Sequence, residues 1–75
     1  MNAYYIKDLA VASYLAYKKI KMIKSYDQSS QSWVFDNTNG ECEKLELEVR
    51  NGEAQASVLE YESMRRSLLS MVSKK

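Results

Sequence analysis

The sequence predicts a small α+β domain in which an antiparallel β-hairpin packs against helices, with the element order α-β-β-α-α. Three observations predict this class. The chain has 75 residues, which suits a single domain spanning residues 1–75. Its composition, 45% hydrophobic and 28% charged, is that of a globular protein. Apolar residues recur at helical spacing towards both ends and alternate with lysines in between. We therefore expect three helices that cover a two-stranded sheet.

The first helix is predicted to begin after Asp8. An aspartate at this position can accept hydrogen bonds from the free backbone amides of a first helical turn. The residues that then share one face at helical spacing are Val11, Ala12, Leu15 and Ala16. Because half of this face is alanine, it allows close packing against a neighbouring element.

A β-hairpin is predicted next. Between residues 20 and 26, lysines interleave with large apolar residues at a period near two, and residues 27–31 form a polar turn cluster. Residues 32–36 then form an aromatic and β-branched run. Trp33 and Phe35 point to one face of this second strand, either onto the core or outward as a binding platform.

Residues 40–51 carry two conflicting signals. The alternation of apolar and polar residues over 45–50, with Asn51-Gly52 after it, is typical of a strand and a hairpin turn. A helix is indicated instead by the capping-box spacing of residues 38–41, by Gly52 as a terminating glycine, and by the helical spacing of Cys42, Leu45 and Val49. We favour the helix.

The final helix is predicted to begin after Ser57, since residues 57–60 repeat the capping-box spacing. Arg65 and Arg66 flank its apolar stripe. The stripe consists of Val58, Tyr61, Met64, Leu68 and Met71, widened by Leu59, Leu69 and Val72.

The composition excludes several kinds of chemistry. The chain has no histidine and one cysteine, so a histidine-based relay, a histidine metal cluster, a thiolate zinc site and an internal disulfide cannot form. Cys42 is expected to be a small buried hydrophobe. The glycines Gly40 and Gly52 are isolated, which leaves no phosphate-binding loop. We expect no enzymatic activity, no metal and no cofactor.

Charge is segregated along the chain. Residues 36–62 hold eight acidic side chains against Lys44 and Arg50, whereas residues 1–35 and 63–75 are each net basic. Opposed basic and acidic surfaces are one interpretation, and ordinary solvated faces are the other. The sequence also has no signal-peptide pattern and no apolar run near the ~20 residues that span a bilayer. With a single cysteine, this predicts a cytoplasmic protein without a membrane partner.

Taken in order, these residues resemble a family of short bacterial and phage proteins described as a domain of unknown function. The resemblance is carried by residues 6–15, Trp33-Val34-Phe35-Asp36, Asn51-Gly52, and the stretch from Tyr61 to Leu69. One departure is Lys18-Lys19, because the family commonly has a glycine at the end of the first helix. The resemblance implies a helix over residues 40–51 and a phage or mobile-element origin, hence the cytoplasm of a bacterial host cell. It implies no catalytic residue.

The leading functional hypothesis is a non-enzymatic module that binds an unidentified protein, with inhibition as one outcome. Six tyrosines and one tryptophan motivate it, because these side chains supply contact area at low entropic cost. The other interpretation is that the aromatic residues only build and rim a small core. The candidate protein interface consists of Trp33, Tyr26, Arg65 and Arg66.

Two alternatives complete the set of hypotheses. The first is nucleic-acid binding by a basic hairpin, where stacking rings accompany the candidate contacts Lys18, Lys19, Lys21 and Lys24. A pI near 7.8 and the acidic middle segment count against it. The second is a virion or scaffold component that self-assembles through the final helix. A homodimer formed by that helix or by a free sheet edge is a further expectation.

Overall fold

Six elements follow one another along residues 2–72, the part of the chain that the computed structural model describes. In chain order they are β1 (Ala3–Ile6), α1 (Leu9–Tyr17), β2 (Met22–Asp27), β3 (Ser32–Asp36), α2 (Glu41–Arg50) and α3 (Val58–Val72). The predicted α+β class is confirmed, and from Leu9 onward the order is the predicted α-β-β-α-α. β1 is an addition, because the prediction had only a two-stranded sheet.

The sheet has three antiparallel strands in the order β1-β3-β2. β1 pairs with β3 in continuous register, with Tyr4 opposite Phe35 and Ile6 opposite Trp33. The pairing of β2 with β3 contains two register shifts, one on each side of Lys24. β1 has only four residues, and its partner lies about thirty residues further along the chain. No local pattern therefore marked it as a strand.

The core lies against one face of the sheet. Trp33 and Phe35 of β3 belong to it, which places their shared face inward. Five consecutive residues of α1, 11–15, are buried, because this helix contacts both α2 and α3. Cys42, also in the core, is buried as predicted. The small side chains of Ala12 and Ser13 let the two neighbouring helices approach α1 closely.

The ends of α1 are fixed by backbone and side-chain hydrogen bonds. The Asp8 carboxylate accepts the Ala10 N–H at 2.9 Å, which confirms the predicted cap. At the other end, the Lys19 N–H donates to the Ala16 carbonyl and the Ile20 N–H to the Leu15 carbonyl. This is a Schellman motif, and Lys19 takes its left-handed position with φ of 68°.

Residues 41–50 form a helix, as favoured above, but the predicted capping box does not form. Gly40 precedes α2 in a left-handed conformation, φ of 70°, and the Cys42 N–H donates to Asn37 Oδ1 at 2.9 Å. The Asp36 carboxylate instead accepts two hydrogen bonds from Thr38, one from its backbone N–H and one from its hydroxyl. α2 ends in a second Schellman motif at Gly52, whose φ is 74°.

The helix α3 begins directly after Ser57, as predicted. The Ser57 N–H does not bond to Glu60, as a capping box requires, but donates to the Tyr17 hydroxyl at 3.0 Å. Leu68 is buried, and Tyr61, Met64, Met71 and Val72 are partly buried. Within residues 2–72, no helix combines the length and the apolar character needed to cross a membrane.

Candidate functional site

Four tyrosine hydroxyls join secondary-structure elements to one another. The Tyr4 hydroxyl of β1 donates to Glu46 of α2, and that of Tyr14 in α1 donates to Glu48 Oε1 at 2.9 Å. The Tyr17 hydroxyl accepts the Ser57 N–H, and the Tyr61 hydroxyl donates to the Ala10 carbonyl at 3.0 Å. Most of the aromatic residues that motivated an interface therefore hold the fold together.

Trp33, a predicted interface residue, lies in the core. Its side chain is 4% exposed, and its indole N–H donates to the Leu68 carbonyl at 3.2 Å. The half-buried Tyr26 ring meets it edge-on with centroids 5.1 Å apart. This corrects the assignment of Trp33 to a surface, because an indole enclosed between β2 and α3 cannot reach a partner.

The two predicted interface arginines lie on α3. Arg65 is half-buried and forms an ion pair with Glu62, with Nε 3.1 Å from Oε1. Arg66, the next residue, is exposed. Trp33, Tyr26, Arg65 and Arg66 therefore do not form one continuous exposed patch.

The predicted nucleic-acid contacts divide into two groups. Lys18, Lys19 and Lys21 line an open cleft of about 270 Å³, but Asp36 and Glu41 line the same cleft. Lys24 is paired instead with Asp27, with Nζ 3.4 Å from Oδ1. Hydrogen bonds from the Ser30 and Ser29 hydroxyls, together with this lysine, lower the pKa of Asp27 to about 2. The hairpin lysines are thus interspersed with carboxylates, which repel phosphate.

A second, more apolar cleft lies where α1, α2 and α3 meet. Its volume is about 340 Å³. Its lining consists of Tyr14, Val49, Ala54, Ala56, Val58, Tyr61 and Glu62. We refer to it as the α2–α3 cleft. At this size it can take one or two large apolar side chains, near the lower end of the ~300–1,000 Å³ typical of ligand pockets.

The cleft exists because of how the chain passes from α2 to α3. The Schellman motif at Gly52 turns the chain out of α2, and residues 53–57 then run to α3 without regular structure. Ala54 and Ala56 are small, so they leave space between Val49 of α2 and the first turn of α3. The bond from Ser57 to Tyr17 fixes the far side of that space.

Two large apolar side chains are exposed beside this space. Val58, in the cleft lining, is 75% exposed, and its neighbour Leu59 is 84% exposed. Scattered single apolar residues are common on protein surfaces, but adjacent ones at the edge of an apolar cleft are typical of binding sites. The first turn of α3 is therefore the most exposed apolar feature that adjoins a cleft in residues 2–72.

The polar side chains that line the cleft are those of Tyr14, Tyr61 and Glu62. Burial and the hydrogen bond to Glu48 raise the pKa of Tyr14, and burial and the nearby charge of Asp8 raise the pKa of Tyr61. Both phenols therefore stay protonated at neutral pH. No group of His, Cys, Asp and Glu side chains suited to a metal ion occurs within residues 2–72.

Sequence reasoning missed this cleft because it depends on a long-range packing arrangement. Residues 53–59 did carry a signal, since two alanines and an adjacent Val-Leu pair are unusual in a connection that is otherwise polar. The stripe interpretation instead placed Val58 and Leu59 on the same apolar face of the final helix as Leu68. Their exposure corrects it, because the buried face of α3 passes through Tyr61 and Leu68.

Comparison of the chain with protein-family models, with curated proteins and with solved structures finds no match. The resemblance to a bacterial and phage family therefore stays a prediction from the sequence. Functional inference rests on the geometry of the chain itself, and above all on the α2–α3 cleft.

Proposed function

We propose that this chain is a non-enzymatic protein-interaction module that docks a segment of a partner protein into the α2–α3 cleft. The observation that carries the proposal is the exposure of Val58 and Leu59 at the edge of an apolar cleft of about 340 Å³. Burying such side chains gains about 25 cal/mol per Å² of apolar surface, which drives most protein association. Inhibition of the partner, a phage or mobile-element origin and a cytoplasmic location belong to the same proposal.

The packing around the cleft suits docking by a preformed surface. The Tyr17 and Tyr61 hydroxyls tie α3 to α1 on two sides, and the Schellman motif at Gly52 fixes the end of α2. A cleft whose walls are already ordered loses little conformational entropy when a partner binds. The site therefore combines an apolar rim with rigid supporting contacts.

The two alternatives have less support. Nucleic-acid binding would use Lys18, Lys19 and Lys21, whose cleft also contains Asp36 and Glu41, so phosphate meets opposing charges. Self-assembly through the apolar stripe of α3 would need residues such as Leu68 and Met71, which pack into the core of the same chain. We therefore place protein recognition ahead of both.

A displayed library of short random peptides tests the proposal. Peptides are selected on the wild-type protein and then assayed on Val58→Asp, which places a charge at the cleft edge. Leu47→Asp is the matched control, because Leu47 is 58% exposed on α2 but does not line the cleft. We expect peptides that bind wild type and Leu47→Asp equally and lose at least tenfold on Val58→Asp. Failure to select any peptide sensitive to Val58→Asp would contradict the proposal.

A further inference from the structure

The α2–α3 cleft is built almost entirely from an acidic stretch of the chain. Six of its seven lining residues fall between residues 49 and 62. Over residues 46–62, five glutamates accompany a single basic residue, Arg50. Among the seven residues that line the cleft, all within residues 2–72, Glu62 alone carries an ionisable acidic or basic group other than a tyrosine hydroxyl.

The positive charge of Arg50 is already compensated. Its guanidinium lies 2.6 Å from Glu46 Oε2 and 3.9 Å from Asp8 Oδ2. The Glu46 bond and charge together raise the pKa of Arg50, so this cation stays bound to carboxylates near neutral pH. It therefore does little to offset the remaining glutamates around the cleft.

One glutamate stands where an incoming chain would meet it. Glu62 lines the cleft, and its ion pair with Arg65 is surface-exposed, with side chains 41% and 39% exposed. Such a pair is weak and can exchange partners. Glu48 accepts a hydrogen bond from the Tyr14 hydroxyl of the cleft at 2.9 Å, but it lines a separate cleft together with Lys18 and Lys44.

From this charge distribution we propose that the partner segment is basic as well as apolar, with leucine-like side chains flanked by lysine or arginine. The apolar side chains enter between Val49 and Val58, and a flanking cation meets Glu62. Complementary charge selects the partner and speeds the encounter, while the apolar contact supplies most of the affinity. This inference rests on the proposed docking function and adds the chemistry of the partner to it.

The test is a titration of the ¹⁵N-labelled full chain with three synthetic peptides, followed by NMR. The first carries two leucines among lysines, the second replaces each lysine by glutamate, and the third replaces each leucine by serine. We expect the leucine-lysine peptide to shift the amide signals of Ala54, Ala56 and Val58. The leucine-glutamate peptide should bind at least tenfold more weakly, and added salt should weaken the first complex.

A pair of charge variants locates the effect. Glu62→Gln should weaken the leucine-lysine peptide about two- to fivefold, the range of an exposed ion pair. Glu60→Gln is the matched control, because it removes the same charge from the same turn of α3 outside the cleft lining. It should change the affinity by less than twofold. Circular dichroism of both variants checks that the fold is intact.

The outcomes separate this inference from the proposed function. Equal binding of both leucine peptides at the cleft would overturn the inference but leave docking in place. Equal binding of the lysine-leucine and lysine-serine peptides would overturn it too, since charge alone would then explain binding. Absence of any shift with the leucine-lysine peptide would also overturn it, and docking would then be decided by the library selection with Val58→Asp.

Discussion

The hydroxyl of Tyr17, the last residue of α1, accepts the backbone N–H of Ser57, the residue before α3, at 3.0 Å. This bond satisfies a backbone amide at the start of α3 that has no partner within its own helix. It also holds the first turn of α3, which carries Val58, at a fixed distance from α1. The relationship links one side chain to the shape of the α2–α3 cleft.

Removing this hydroxyl should loosen the first turn of α3. We expect Tyr17→Phe to lower the free energy of unfolding by about 0.5–1.5 kcal/mol, the usual net contribution of one hydrogen bond. Denaturant unfolding measures the change. Amide hydrogen exchange at Ser57 and Tyr61 should accelerate as well, because the Ser57 N–H donates to Tyr17 and the Tyr61 N–H donates to the Ser57 carbonyl. Tyr5→Phe is the control, because Tyr5 is exposed on β1, and it should leave both quantities unchanged.

The residue after the end of α1, Lys19, has a strained backbone conformation, and a substitution by glycine should relieve the strain. Lys19 holds the left-handed position of the Schellman motif with φ of 68°, a conformation that costs a non-glycine residue about 1–2 kcal/mol. Lys19→Gly should therefore raise the free energy of unfolding by about 0.5–1 kcal/mol, after the greater entropy of glycine in the unfolded chain is subtracted.

Lys18→Gly provides the matched control for that substitution. Lys18 has φ of −79°, where glycine offers no relief of strain and only adds entropy to the unfolded chain. Thermal unfolding should show a higher midpoint for Lys19→Gly and a lower one for Lys18→Gly. A lower midpoint for both variants would contradict the account of how α1 ends.

Stability should fall at alkaline pH because three buried or half-buried tyrosines are hydrogen-bonded in the neutral form. Burial raises the pKa of Tyr4, Tyr14 and Tyr61, and the bonds to Glu46 and Glu48 raise the first two further. The native state thus holds protons that the unfolded chain releases near pH ~10. The stabilisation is complete below that pH and is lost as the pH rises through the native values.

This alkaline loss can be followed by urea unfolding at several pH values, together with the near-ultraviolet absorbance of tyrosinate. We expect three tyrosines to ionise only with unfolding. In Tyr14→Phe the free energy of unfolding should fall less steeply with pH, since one tyrosine with a raised pKa is removed. Ionisation of all six tyrosines near pH ~10 in the folded protein would contradict the assignment.

Cys42 should be nearly inert towards alkylating reagents in the folded protein. Burial, with the neighbouring charge of Glu43 next, raises the pKa of this thiol to about 11. The reactive thiolate is then about 100-fold scarcer than for an unperturbed thiol, and the side chain is enclosed. Alkylation followed by mass spectrometry should be slow in buffer and fast in denaturant. Fast native alkylation would show that α2 opens readily.

The local patterns predicted the helices well. Asp8 marks a helix start and Gly52 a helix end, because each of these residues acts through its neighbours along the chain. α3 also begins after Ser57 as predicted, although the bond of the Ser57 N–H goes to the distant Tyr17. The helix over residues 41–50 could be favoured over a hairpin because Cys42, Leu45 and Val49 share one face, and the structure buries Cys42 and Leu45. Such features are encoded within a few residues.

What the sequence did not predict depends on distant contacts. β1 is a strand only because Tyr4 and Ile6 pair with β3. Trp33 was open to both a core and a surface interpretation, and only the position of Leu68 in α3 decides between them. The α2–α3 cleft likewise requires three helices to meet, so the spacing of apolar residues along the chain does not predict it. The capping boxes did not form because Asp36 accepts the Thr38 N–H and the distant Tyr17 accepts the Ser57 N–H.

The central claim is that the α2–α3 cleft docks a partner segment, and the most direct test is calorimetric. A peptide selected on the wild-type protein is titrated into wild type, Val58→Asp and Leu47→Asp, each confirmed to be folded. Docking at the cleft predicts at least a tenfold loss of affinity for Val58→Asp and an unchanged dissociation constant for Leu47→Asp. Equal affinity for wild type and Val58→Asp would contradict the claim.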